Sequence, residues 1–135
     1  MNCLATPMFE EARARAVGKL PAGPLSGVPF LVKDLGQPYA GVRQTDVTGA
    51  LGGFIADQDG GLVTRLRSAG LVIIGRATAP EFGNHSTTEP ELFGACHNPW
   101  DMGRSAGGSS GGSAARAFSR SAEARSKTNA NCMER

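Results

Sequence analysis

Two apolar runs, "VPFLVKD" at 28–34 and "LVIIG" at 71–75, show none of the alternation of a strand with one wet face. Continuously apolar up to the two charges that end the first, they fit strands buried on both faces, although the first is short enough to be a turn of helix as well. The second, β-preferring and closed by Gly75, is the stronger strand. Between them, "GGLVTRLRSAG" puts Leu62, Val63, Leu66 and Ala69 on one helical face, with Arg65 and Arg67 turned mostly away. Asp57 or Asp59 is placed to cap its start and Gly70 to close its end. Strand, crossover helix, strand is the parallel unit, right-handed in nearly every case. The expected fold class is therefore α/β, a partial mixed sheet covered by helices.

Before this unit, "TPMFEEARARAVGKL" predicts a helix with Thr6 as cap, Pro7 at its first position and Glu10 and Glu11 near its amino end, finishing by Gly18 to Pro21. Residues 35–56 have no period and predict irregular covering chain. After the second strand, residues 76–115 hold hardly a regular element before their last alanines. So long a connection is expected to be a working loop, or one covered by further chain.

Charge and glycine divide the chain near residue 115. All 19 glycines and 8 prolines lie before residue 113. Residues 1–115 carry nine Lys or Arg against ten Asp or Glu, while 116–135 carry five against two. The expectation is an amino-terminal part of one domain over 1–115 and a divergent, disordered basic tail over 116–135. A near-neutral body without a basic cluster argues against a nucleic-acid partner. No run approaches the ~18 apolar residues of a membrane span. Cys3, Cys96 and Cys132 form no close pair, and the start shows no charged segment followed by an apolar run. A cytoplasmic protein without cofactor or metal is expected. His85 and His97, with Glu81, Glu89 and Cys96 nearby, have no recognised ligand spacing and read as loop histidines. Trp100 reads as a loop anchor.

Two places carry candidate chemistry. Lys33 ends the first apolar run, where desolvation lowers a lysine toward the range of a useful base; on the residues alone the plainer reading is a lysine that snorkels or pairs with Asp34. Ser105, Ser109, Ser110 and Ser113 stand among Gly107, Gly108, Gly111 and Gly112. That stretch is either a slack linker or a loop whose backbone closes on a ligand. It fits neither a Walker A loop nor a dinucleotide fingerprint, since no lysine follows Gly112 and no strand leads directly into G-x-G-x-x-G.

Four blocks in order, "GPLSGVPFLVKDL", "RLRSAGLVIIGRATAPEFG", "HNPWD" and "SAGGSSGGSAA", resemble the amidase signature family of serine hydrolases, over about Pro24 to Ala115. The resemblance implies a small-molecule amide substrate and a Lys, cis-Ser, Ser relay. Lys33 matches the base and Ser109 the serine that passes the proton, preceded by a cis peptide bond. Ser110 and Ser113 match supporting hydroxyls, and Gly107, Gly108, Gly111 and Gly112 flexible backbone positions. The family's nucleophile lies in a later G-T-D-x-G-G-S-I-R block, and "KTNANCMER", near the equivalent place, has neither Gly nor Ser. Ser119, Ser121 and Ser126 come too early, and nothing around Cys132 would form an oxyanion hole. The expectation is an incomplete amidase-like domain, truncated before its nucleophile, inactive alone and prone to self-association. The alternatives are a non-catalytic remnant or binding protein, or part of a glutamine-dependent amidotransferase subunit. Arg76 and Ala77 stand where the family commonly has Lys and Thr, which predicts weaker local hydrogen bonding.

Overall fold

The computed structural model describes residues 1–119 of the 135. In chain order its elements are β1 (Leu4–Pro7), α1 (Phe9–Val17), β2 (Pro29–Lys33), α2 (Gly61–Ser68), β3 (Val72–Ala77), a ribbon of β4 (His97–Asn98) and β5 (Asp101–Ser105), and α3, helical over 111–119. The sheet has the order β1-β3-β2, with β2 parallel and β1 antiparallel to β3. This is the mixed α/β arrangement read from the two apolar runs, but β2 is not buried on both faces as expected: Pro29 and Phe30 are exposed and only Val32 is buried, because no further strand or helix covers that edge among the described residues. β3 lies in the middle and is buried along nearly its whole length, which is why its sequence shows no alternation.

On one side of the sheet, Val32, Ile73 and Met8 pack with Val63 of α2 and with Tyr39 and Val42 of the covering loop, and Leu66 packs against this cluster. Val63 is fully buried, worth about 1.5–3 kcal/mol over an exposed valine. α2 ends at Gly70, whose φ of +86° and close approach to Pro21 and Ser26 suit only glycine. Arg15 of α1 donates to Arg67 O at 2.8 Å, satisfying a carbonyl at that helix end.

Both helix starts differ from expectation. Thr6 and Pro7 belong to β1, and α1 begins at Phe9 behind Met8, with no side-chain cap. Pairing with β3 outweighs the local helix signal, and Pro7 is tolerated because β1 is at the sheet edge. α2 is preceded by Gly60, also without a side-chain cap. Asp59 stands one residue too early and instead accepts from Ala40 N (2.9 Å) and pairs with Arg67 (2.7 Å). The ribbon of β4 and β5 was not legible as strands, since Pro99 and Trp100 make the turn and most of β5 is exposed. Residues 116–119 continue α3, and the rest of the expected tail lies outside the described residues.

Candidate active site

β2 delivers Lys33 to the carboxyl end of the sheet, half-buried, beside the loop that leads from β5 into α3. Its Nζ donates to Ser109 Oγ at 2.8 Å across 76 residues of sequence. Burial pulls the Lys33 amine below the ordinary lysine value of 10.5. Of the two readings open at the sequence level, pairing with Asp34 does not occur. Asp34 is fully buried and bound to Arg76 Nε (2.6 Å) and Thr45 Oγ1 (2.6 Å).

Ser109 follows a cis peptide bond from Gly108. Three of the glycines around it are closely packed. A Cβ on Gly108 would lie 2.8 Å from the Ser86 carbonyl, and one on Gly112 would lie 2.6 Å from Cys3 O and from the backbone N and O of Thr78. Gly111 sits hard against Thr88, whose hydroxyl donates to Gly107 O at 2.7 Å. Gly107 N in turn donates to Ser105 Oγ at 3.2 Å. Gly108, Gly111 and Gly112 thus allow close packing against the 86–88 segment and the end of β3, whereas Gly107 has open space around it and a φ of +75°. Ser110 precedes α3 and its carbonyl accepts from Ala114 N (3.0 Å), while Ser113 faces a groove with Phe30 and Ile74.

A neutral amine in contact with a hydroxyl can accept its proton, and that hydroxyl can then accept one from a third group. The pair thus has the parts of a proton relay. Thr78, Thr88 and Arg76 contribute to its frame and were missed as site residues. Arg76 had a signal, because a cation inside a strand buried on both faces requires a buried counter-charge. Arg76 is 1% exposed, pairs with Asp34 and donates to Gln37 O at 2.7 Å, while its Nη2 is buried without a hydrogen-bond partner among the described residues.

Other singled-out residues lie apart from this pair. His97 Nδ1 is 2.9 Å from Met102 O within the ribbon, and His85 is exposed. Trp100 is 49% exposed and lines a small hollow with Phe118, so it anchors the loop less deeply than expected. Ser119 is buried and donates to Arg116 O at 3.0 Å. Cys132, Ser121 and Ser126 lie outside the described residues. Among the described residues, no helix is long and apolar enough to cross a membrane.

The amidase family profile matches residues 1–119. The 6-aminohexanoate-cyclic-dimer hydrolase of Paenarthrobacter ureafaciens is 46% identical over 117 residues, 85% of this chain and 23% of that protein. A structure of 6-aminohexanoate cyclic dimer hydrolase with substrate superposes with a TM-score of 0.77 at 46% identity, covering 83% of this chain and 23% of that one. A glutamyl-tRNA(Gln) amidotransferase subunit from Cutibacterium acnes is 48% identical over 93 residues, 69% of this chain and 18% of that protein. The chain thus spans about a quarter of the length of the first of these relatives.

Proposed function

The chain belongs to the amidase signature family, and from that premise we propose that it carries the base and the relay serine of an amide-hydrolysing site. Neutral Lys33 takes the Ser109 proton, and Ser109 takes the proton of a nucleophilic serine from outside the described residues. That serine attacks the carboxamide carbon and forms an acyl-enzyme. Backbone N–H groups hold the developing oxyanion, each worth about 3–4 kcal/mol. The relay returns a proton to the departing amine, and water releases the acid.

The observation that carries this reading is the 2.8 Å contact between Lys33 Nζ and Ser109 Oγ, with the amine lowered by burial. The substrate is a small-molecule carboxamide, and the 135-residue polypeptide by itself is silent because it lacks a fitting nucleophile.

A chimera tests the relay. Residues 1–115 replace the matching portion of the 6-aminohexanoate-cyclic-dimer hydrolase, and turnover is measured on that enzyme's own substrate. Lys33→Ala and Ser109→Ala are each expected to reduce kcat by about 10²–10⁴-fold. Turnover that survives both changes overturns the relay. Assay of the unfused chain on simple carboxamides tests the second half, which Lys33-dependent and Ser109-dependent turnover contradicts.

The likeness to glutamyl-tRNA(Gln) amidotransferases favours one second reading, release of ammonia from glutamine as part of a larger assembly. A glutaminase assay of the same chimera separates it from hydrolysis of other amides.

A further inference from the structure

Lys33 and Asp34 are neighbours in sequence but leave the chain on opposite sides. Successive strand residues project to opposite faces. Val32 and Arg76 are register partners, so Asp34 meets Arg76 on the Val32 side while Lys33 emerges toward Ser109. A fully buried carboxylate therefore lies one residue along the chain from that amine, on the other face of the strand. Left alone, its negative charge would favour the ammonium form of Lys33, since an opposite charge favours the charged form.

The Asp34 carboxylate is not left alone. Arg76 Nε donates to Oδ1 at 2.6 Å, Thr45 Oγ1 donates to Oδ2 at 2.6 Å, and Thr45 N reaches Oδ1 at 3.4 Å. Arg76 is held in turn by Gln37 O at 2.7 Å. The two charges are shielded from water, with side chains 1% and 0% exposed, so each acts on its surroundings nearly unscreened.

We infer that Arg76 is a positioning residue for Lys33: by neutralising Asp34 behind the strand, it leaves the amine free to stay uncharged against Ser109. This rests on the reading of Lys33 as the base. It extends that reading by assigning the deprotonated state to a buried ion pair as well as to burial. Other charged groups on the surrounding segments are weaker rivals. Asp46, in the loop after β2, has its Oδ1 occupied by Gly36 N (2.9 Å) and Gln44 Nε2 (2.7 Å). Glu81, after β3, is exposed to solvent. Arg104 of β5 pairs with Asp101 at 2.9 Å on the surface, and Arg116 of α3 is engaged with Ser119.

Lysine titration in the full 135-residue chain provides the test. Its lysines are Lys19, Lys33 and Lys127, so carbon-13 labelling at the lysine ε position gives three signals, with Lys33→Met identifying the one of interest. Arg76→Gln is expected to raise the Lys33 midpoint by about one pH unit, a tenfold gain in proton affinity. Asp34→Asn leaves the arginine uncompensated and is expected to lower the midpoint by a similar amount. Asp34→Asn with Arg76→Gln returns it to within a few tenths of a unit. A merely structural pair would give a different pattern: loosening either partner would hydrate Lys33 and raise the midpoint in both single variants. That result, or no shift in either, overturns the inference.

Should one single variant fail to fold, the other decides: a raised midpoint in Arg76→Gln or a lowered one in Asp34→Asn supports the inference, and the opposite sign or no shift overturns it. Failure of the relay itself shows separately, as turnover that survives Ser109→Ala in the chimera, and leaves these midpoints as they are.

Discussion

Tyr39 shows how one side chain ties four segments together. It is 3% exposed, its hydroxyl donates to Glu11 Oε1 at 2.6 Å, and Arg67 lies over its ring at 5.2 Å from the centroid while pairing with Asp59. The covering loop, α1, α2 and the turn before α2 all meet there. Burial, then the Glu11 hydrogen bond and charge, push the phenol up to about 12, against a smaller opposing effect of Arg67. The folded chain therefore holds this proton at a pH where the unfolded chain has lost it. The associated stability is fully present below pH 10.0 and is lost as pH rises through about 12. Lys33, lowered by burial, runs the other way: stability rises with pH until the unfolded lysine value of 10.5 is passed. Because the chain has one tyrosine, its phenolate absorbance reports this group alone. The expected midpoint is about 12 in the folded chain, falling to about 10 in concentrated urea. A folded-state midpoint at 10 would mean that the Glu11 contact and the burial are absent in solution.

Among the elements, α3 depends on how closely its first turn approaches the sheet. Gly112 N donates to Thr78 O at 3.2 Å, and Thr78 N donates to Cys3 O at 3.1 Å, so the segment before β1, the end of β3 and the start of α3 converge at one point. Gly112→Ala puts a methyl group 2.6 Å from three backbone atoms there. It is expected to cost about 1–3 kcal/mol, read as a lowered urea midpoint. Gly49→Ala, with nothing within 4 Å of the added carbon, is expected to change stability by no more than about 0.5 kcal/mol. Equal midpoints for the two variants would refute the close docking. This convergence also explains which elements could be read in advance. β2, α2 and β3 were legible because packing leaves its mark in the residues themselves, as continuous apolar runs in the strands and a stripe at three- and four-residue spacing in the helix. β1 was not: "LATP" carries no period of its own and becomes a strand only because β3 offers it an edge. The glycines at 107–112 were visible as a cluster, and the family resemblance singled out Lys33 and Ser109. The tight packing of Gly108, Gly111 and Gly112 was invisible, because Ser86, Thr88, Thr78 and Cys3 approach from far away in sequence.

At the scale of the whole molecule, the sheet covers itself unevenly. Among the described residues, β3 is flanked on both sides, whereas β2 is paired with β3 alone and its other edge offers free backbone groups. Part of the exposed apolar surface lies at the same place. Val28 and Phe30 are 41% and 37% exposed, and a groove lined by Phe30, Leu31, Ile74 and Ala117 runs between β2 and α3. The flanking charge is slight, with Arg116 at the groove. An unpaired edge next to an apolar groove combines the two features that drive one sheet onto another. The isolated chain is therefore expected to self-associate, with a weight-average mass in sedimentation that rises with concentration. Phe30→Lys acts on both features: its charge opposes edge-to-edge pairing, and it removes the aromatic ring from the groove. Because Phe30 is partly exposed and outside the Met8, Val32 and Val63 cluster, the substitution is expected to leave the urea midpoint nearly unchanged while restoring the monomer mass. A parent chain that stays monomeric throughout, or a Phe30→Lys chain that associates as strongly as the parent, would show that this edge is not where copies meet.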